Sequence, residues 1–149
     1  MKASIFILLT IGLSLFLYSF SGNQEEAISL TVKVEKLQNS KGVVQFALYN
    51  KDGSIPDEDY KNHYRLEKAK IVNGKSEITF KNLPKGKYAV NILHDENNNS
   101  KIDKGLLLPK EGIGFSNYQT IGLRNRPNFH KASFELNADK TIDVTVIYM

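Results

Sequence analysis

From Ile28 onward, apolar residues fall at every second position: Ile28, Leu30, Val32 and Val34. Period two predicts a half-buried strand, because successive strand side chains point to opposite faces. The turn cluster Asn39-Ser40-Lys41-Gly42 follows, and Val44, Phe46 and Leu48 resume the alternation. These first two strands are expected to pair as a hairpin. Residues 50–67 break the pattern with Asp52-Gly53, Pro56 and many charges. Tyr60, Tyr64 and Leu66 recur there at near-helical spacing, which predicts a loop with one helical turn and its aromatics against the sheet. Ala69 and Ile71 open a third strand. Asn73-Gly74 then gives the strongest hairpin signal, because a type I′ turn needs positive φ at both central residues. Ile78 and Phe80 form the return strand. Leu83-Pro84-Lys85-Gly86 turns the chain into a strand with Tyr88, Val90 and Ile92 on one face. Residues 95–131 are long and irregular. Ala132, Phe134 and Leu136 mark a further strand, Asn137-Ala138-Asp139-Lys140 a turn, and Ile142, Val144, Val146 and Tyr148 the last strand.

About seven strands with frequent turns and no long amphipathic helix predict an all-β fold. The expected architecture is an antiparallel two-sheet β-sandwich, immunoglobulin-like or transthyretin-like. A small closed barrel is the alternative. Phe46, Phe80, Val90, Phe134, Val144 and Val146 are expected between the sheets. A length of 149 residues suits one domain, placed at residues 27–149. At 41% hydrophobic and 24% charged, the composition excludes disordered, collagen-like and multi-span membrane classes.

The N-terminus reads differently. Lys2 precedes an almost unbroken apolar run at residues 3–20, then Ser19-Phe20-Ser21 and the polar Gly22-Asn23-Gln24-Glu25-Glu26. This predicts a secretory signal peptide over residues 1–21 and a domain exported to the periplasm, cell surface or extracellular space. An uncleaved anchor is the alternative; after cleavage no membrane span is expected. The absence of cysteine excludes disulfides, thiolate metal sites, a cysteine nucleophile and a cysteine-linked lipid anchor. Without Lys2 the chain carries 19 basic and 16 acidic residues, a net +3, with the signs interspersed. No basic patch suggests a nucleic-acid partner. The expected partner is an envelope or extracellular protein, glycan or lipid.

A loop as long as residues 95–131 calls for a function or an internal pin. It opens Asp95-Glu96-Asn97-Asn98-Asn99-Ser100-Lys101-Ile102-Asp103. Oxygen-bearing side chains at Asp95, Asn97, Asn99 and Asp103 match positions one, three, five and nine of an EF-hand-type Ca²⁺ loop, and Lys101 stands where a backbone carbonyl ligates. Position six, usually glycine, is Ser100, and position twelve, usually glutamate, is Leu106. Glu111 is the candidate extra carboxylate. The competing reading is an Asx-rich turn held by its own side-chain to backbone bonds. His94 continues the face of Tyr88, Val90 and Ile92, and so is expected half-buried at the core rim, bonded to the backbone of this loop. His63 and His130 lie in other loops, without zinc-ligand spacing. Gly112-Ile113-Gly114-Phe115-Ser116-Asn117 lacks both phosphate-loop and nucleophile-elbow signatures. Its glycines are expected to let backbone pack closely, with Phe115, Tyr118, Pro127 and Phe129 plugging the loop to the core.

A resemblance rests on these segments together: Leu83-Pro84-Lys85-Gly86-Lys87-Tyr88-Ala89-Val90, His94-Asp95-Glu96-Asn97-Asn98-Asn99, Pro109-Lys110-Glu111-Gly112-Ile113-Gly114-Phe115-Ser116-Asn117, Phe129-His130-Lys131-Ala132-Ser133-Phe134 and Val146-Ile147-Tyr148. Over nearly the whole stretch from Ile28 to Tyr148 the chain resembles the bacterial family catalogued as domain of unknown function 2141. The resemblance implies an exported β-sandwich and supplies no activity, substrate or catalytic residue. The family's loop usually has a glycine after the second or third asparagine, where this chain has Ser100. The Leu-Pro-x-Gly-x-Tyr segment also resembles transthyretin-like and collagen-binding B-type modules, which bears on fold alone. The expected function is a non-catalytic binding or structural module. The alternative is a small extracytoplasmic hydrolase using His94, Asp95 and Glu111.

Overall fold

The computed structural model describes residues 27–149 except Leu107. The expected signal peptide, residues 1–21, lies outside the described residues. Eight strands are present among the described residues: β1 (Ile28–Val34), β2 (Val43–Tyr49), β3 (Arg65–Lys70), β4 (Ser76–Leu83), β5 (Gly86–Asp95), β6 (Ile113–Phe115), β7 (Phe134–Leu136) and β8 (Lys140–Asp143). One helical turn, α1 (Phe129–Ala132), precedes β7. No helix of the described residues is long and apolar enough to cross a membrane.

The strands form two sheets. The smaller has the order β4-β1-β8; the larger has β3-β2-β5-β6, with β7 also pairing β5. All pairs are antiparallel except β1 with β8, which run parallel. The all-β two-sheet architecture follows the alternation, but the expected hairpin of the first two strands does not form. Strand β1 lies in the smaller sheet and β2 in the larger. The turn at Asn73-Gly74 is built as expected, with φ of 52° and 72° and reciprocal bonds between Val72 and Lys75. Its flanking strands then diverge, β3 to the larger sheet and β4 to the smaller. Turn chemistry sets a local reversal; which sheet a strand joins depends on where its apolar face finds cover.

Between the sheets lies the main core, including Leu30, Val32, Val44, Phe46, Phe80, Leu83, Val90, Ile92, Leu136 and Val144. Four of the six expected core residues are buried: Phe46, Phe80, Val90 and Val144. Phe134 and Val146 are half-buried and pack against its margin. Strand β7 is only three residues long, and its fully buried position goes to Leu136. The Lys140 ammonium lies 5.4 Å from the Phe134 ring centre, on the solvent side of that margin.

A second apolar layer covers the outer face of the larger sheet. Ala47, Tyr49, Ala89, Leu93, Ile113 and Phe115 point outward from its strands, and Ile55, Tyr60, Tyr118, Phe129 and Ala132 descend on them from the loops. Strands β2 and β5 are therefore buried on both faces. Residues 50–64 hold no helix; Tyr60 is buried, Tyr64 is 40% exposed, and Leu66 belongs to β3. The loop at residues 95–131 is pinned in the manner expected, with Phe115, Tyr118 and Phe129 all buried.

Candidate functional site

Strand β5 ends at the loop, and its alternation sends its last two side chains to opposite faces. His94 turns inward and is fully buried. Its Nε2 lies 3.0 Å from the Lys41 carbonyl oxygen and its Nδ1 2.7 Å from the Tyr148 hydroxyl. A carbonyl only accepts, so Nε2 carries a hydrogen; in the tautomer protonated there alone, Nδ1 accepts from the Tyr148 hydroxyl. The Gln38 N–H donates to that same hydroxyl oxygen at 3.1 Å. Burial pushes the Tyr148 phenol pKa up. His94 thus faces inward as its position on β5 predicts, but it is fully rather than half-buried, and its ring bonds the turn before β2 and Tyr148 instead of the 95–131 loop backbone.

Asp95 turns outward beneath the loop and is likewise fully buried. Its Oδ1 accepts the Asn99 N–H at 3.0 Å and its Oδ2 the Ser100 N–H at 2.9 Å. Lys68, from the same face of β3, brings its ammonium to 3.4 Å from Oδ2 and donates to Ser100 Oγ at 2.6 Å. Asn97 Oδ1 accepts the Asn99 N–H, and Asn99 Oδ1 accepts the Lys101 N–H. Asp103 closes the ring, accepting from the Asn97 amide at 2.5 Å and from the Asn99 amide at 3.0 Å. Glu111 staples the loop from the far side: Oε1 accepts the Glu96 N–H and Oε2 the Asp103 N–H, at 3.0 and 3.4 Å.

All five candidate ligand side chains, Asp95, Asn97, Asn99, Asp103 and Glu111, therefore come together in one bonded network; Lys101, expected there through its carbonyl, joins it through its N–H. Asn98 and Ser100 take positive φ, 61° and 66°. Ser100 so occupies a backbone region that favours glycine, which explains the usual glycine of this loop. Burial pushes the Glu111 carboxyl pKa up; its two backbone donors oppose that, and the Asp103 and Asp95 charges add to it. Among the described residues no three His, Asp or Glu side chains form a metal-holding group. The remaining oxygens of the network are those of Asn97 and Asn99. Ca²⁺ here would displace the two amide donors on Asp103 and compete with the Lys68 ammonium.

The sequence pattern did not reveal Lys68 or Gly42 as partners of this loop. Lys68 was legible only once β3 was paired beside β2, which places its even-numbered residues on the Asp95 face. Asp57 was also missed. It is buried, and its carboxylate accepts from Tyr49, the Lys61 and Asn62 N–H groups and the Asn62 amide. Burial, then the Asp57 charge, drive the Tyr49 phenol far above its ordinary pKa.

Beyond Glu111 the chain packs as its glycines predict. A β-carbon on Gly112 would stand 2.5 Å from Tyr148 and Val146 side-chain atoms, and one on Gly114 2.4 Å from the Thr145 carbonyl oxygen. Ile113 exchanges both backbone bonds with Ile147. Ser116 Oγ accepts the Val90 N–H and donates to the Ala132 carbonyl, and Asn117 donates to the Ser133 carbonyl. These bonds tie α1 to β5. Neither other histidine joins His94: His63 Nδ1 lies 2.6 Å from the Tyr60 carbonyl, and His130 is exposed on α1.

No curated protein and no solved structure matches the chain. A family described as an uncharacterized protein conserved in bacteria matches residues 32–144, the span holding most of both sheets, the bonded loop and the glycine pair. The chain belongs to that bacterial family, domain of unknown function 2141.

Proposed function

We propose that this chain is an exported, non-catalytic binding module of the bacterial envelope or cell surface. The observation that supports this reading is the full engagement of its best catalytic candidates. His94 has both ring nitrogens bonded inside the fold, Asp95 accepts two N–H groups beside Lys68, and Glu111 accepts two more. A hydrolase built on these three side chains needs a base free to reach a substrate proton. Phe115 and Phe129 are buried and pin the loop to the sheet, as suits a module that presents a surface. Export rests on the sequence of residues 1–21, and the loop at residues 95–103 is proposed to take Ca²⁺ weakly, on the alternate spacing of its oxygens.

Fractionation of cells producing a C-terminally tagged chain tests this reading. The expected product is an envelope or secreted protein whose sequence starts near Gly22 or Asn23 and which captures a specific envelope component. Intact Met1 in a washed membrane pellet would overturn cleavage. Turnover of a generic ester or peptide substrate that disappears in His94→Gln would overturn the non-catalytic reading.

A further inference from the structure

A cleft of about 420 Å³ opens on the outer face of the larger sheet, beside the Asp95 network, with Ile102 and Lys104 on either side of Asp103 in its lining. That volume lies within the range of small-molecule sites. Asn91 of β5 and Phe115 of β6 line it, and Ile102, Leu108 and Leu123 are among its apolar walls. Leu108 and Leu123 are 53% and 85% exposed, so apolar side chains ring an open cleft. Exposed apolar surface gathered around a concavity marks a place where something docks.

Two polar features constrain the occupant. Asn91 is 1% exposed, and its Oδ1 has no hydrogen-bond donor. A buried acceptor without a donor is an unfavourable arrangement that a ligand N–H or O–H relieves. The oxygen is sealed from water, so a donor reaches it only with a shift of the side chains lining the cleft. The charges supply the second constraint. Glu58 and Lys104, both lining the cleft, are paired with each other. Every oxygen of Asp57 is taken by internal donors. Arg126 also lines the cleft, is exposed, and has no ion pair or side-chain hydrogen bond among the described residues. Asp57 keeps its charge on neutral donors, whereas the Arg126 guanidinium is the charged lining group among the described residues whose donors are unengaged, and its planar donors fit a carboxylate.

We propose that this cleft binds a small amphipathic carboxylate: an apolar body with a hydrogen-bond donor toward Asn91 and its carboxylate on Arg126. This rests on the reading of the chain as a binding module and names the chemical class of its ligand. Flat aromatic acids carrying a ring N–H supply both a donor and a carboxylate.

Indole-3-acetate is a suitable probe, because the protein contains no tryptophan and a bound indole is excited selectively. Its fluorescence anisotropy is titrated with the full chain. Saturable binding is expected, weakened about tenfold for the neutral indole-3-ethanol and about tenfold by Arg126→Met. Arg126→Lys should recover part of that loss. The 1-methyl derivative of indole-3-acetate should bind the native chain several-fold more weakly than the parent, and the two should bind Asn91→Leu alike. Thermal melts confirm that the variants are folded. Equal binding of acid and alcohol, or unchanged binding by Arg126→Met, would overturn the carboxylate assignment. Absence of binding by every probe would overturn the cleft as this site. Capture of an envelope component that persists in Arg126→Met would then leave the module reading standing, and loss of capture by the native chain too would remove both.

Discussion

Gly42 passes so close to the end of β5 that a β-carbon on it would stand 1.9 Å from the Asp95 carbonyl oxygen. Its φ of +66° is also one that L side chains rarely adopt. The turn before β2 is thereby pressed against the first residue of the bonded loop, where Lys41 also reaches His94.

Gly42→Ala should therefore destabilise the fold by about 2–4 kcal/mol, combining left-handed strain with a backbone clash that no rotamer relieves. Urea unfolding measures it. A loss below about 0.5 kcal/mol would mean that the two segments separate freely.

Phe46→Ala should cost about 3–5 kcal/mol, the usual range for a large aromatic deleted from a packed core. Phe134→Ala should cost clearly less, because its ring is half-buried and shares its environment with Lys140. Equal losses in chemical denaturation would contradict the placement of β7 at the core margin.

Both expectations for Phe134 show what the residue pattern carries and what it omits. Alternation placed Phe134 and Leu136 on one face correctly, but it contains no measure of how far a short strand reaches into the core. The same limit applied to β2 and β5. Their outward residues, Gln45, Ala47, Asn91 and Leu93, became buried because two loops fold over them, and loop coverage leaves no periodic trace in a strand. The Asp95 network was legible in its spacing because it is local, spanning a few residues. Lys68, Gly42 and Glu111 reach it from distant positions; only Glu111 was found, through its carboxylate.

Millimolar Ca²⁺ should raise the melting midpoint relative to chelator if the loop takes the ion at the weak affinity of extracellular sites, about 10⁻⁴–10⁻³ M. Tenfold saturation corresponds to roughly 1.4 kcal/mol of added stability. Asp95→Asn should abolish the gain, and Lys68→Met should enlarge it by removing the competing ammonium. Identical midpoints for the native chain with ion and chelator would leave the loop as a hydrogen-bonded Asx turn.

Ser100→Gly should stabilise the loop by about 0.5–1 kcal/mol, since glycine adopts the observed φ without strain. The lost Ser100 contact with Lys68 is exposed and offsets little of this. A lowered midpoint would show that the hydroxyl contact outweighs the backbone strain.

Glu111 sets a pH dependence. Its folded-state pKa is raised, so the folded chain holds that proton more tightly than the unfolded one. The resulting stability is complete below the ordinary value near 4.5 and is lost as pH rises through the raised value. Native protein should therefore compare better against Glu111→Gln at about pH 4 than at neutral pH. A difference that is flat with pH in paired denaturation curves would remove Glu111 as the source.

The parallel pairing of β1 with β8 has a consequence for the order in which the fold can complete itself. Strand β1 is the central strand of the smaller sheet, yet one of its neighbours is the last strand of the chain. Leu30 meets Lys140 and Lys33 meets Asp143, across more than a hundred residues. Until that final segment is available, one long edge of β1 has no partner, and the Tyr148 hydroxyl is missing from His94. The sheet can thus close only once the β8 segment has been synthesised, which favours slow, late assembly over growth strand by strand.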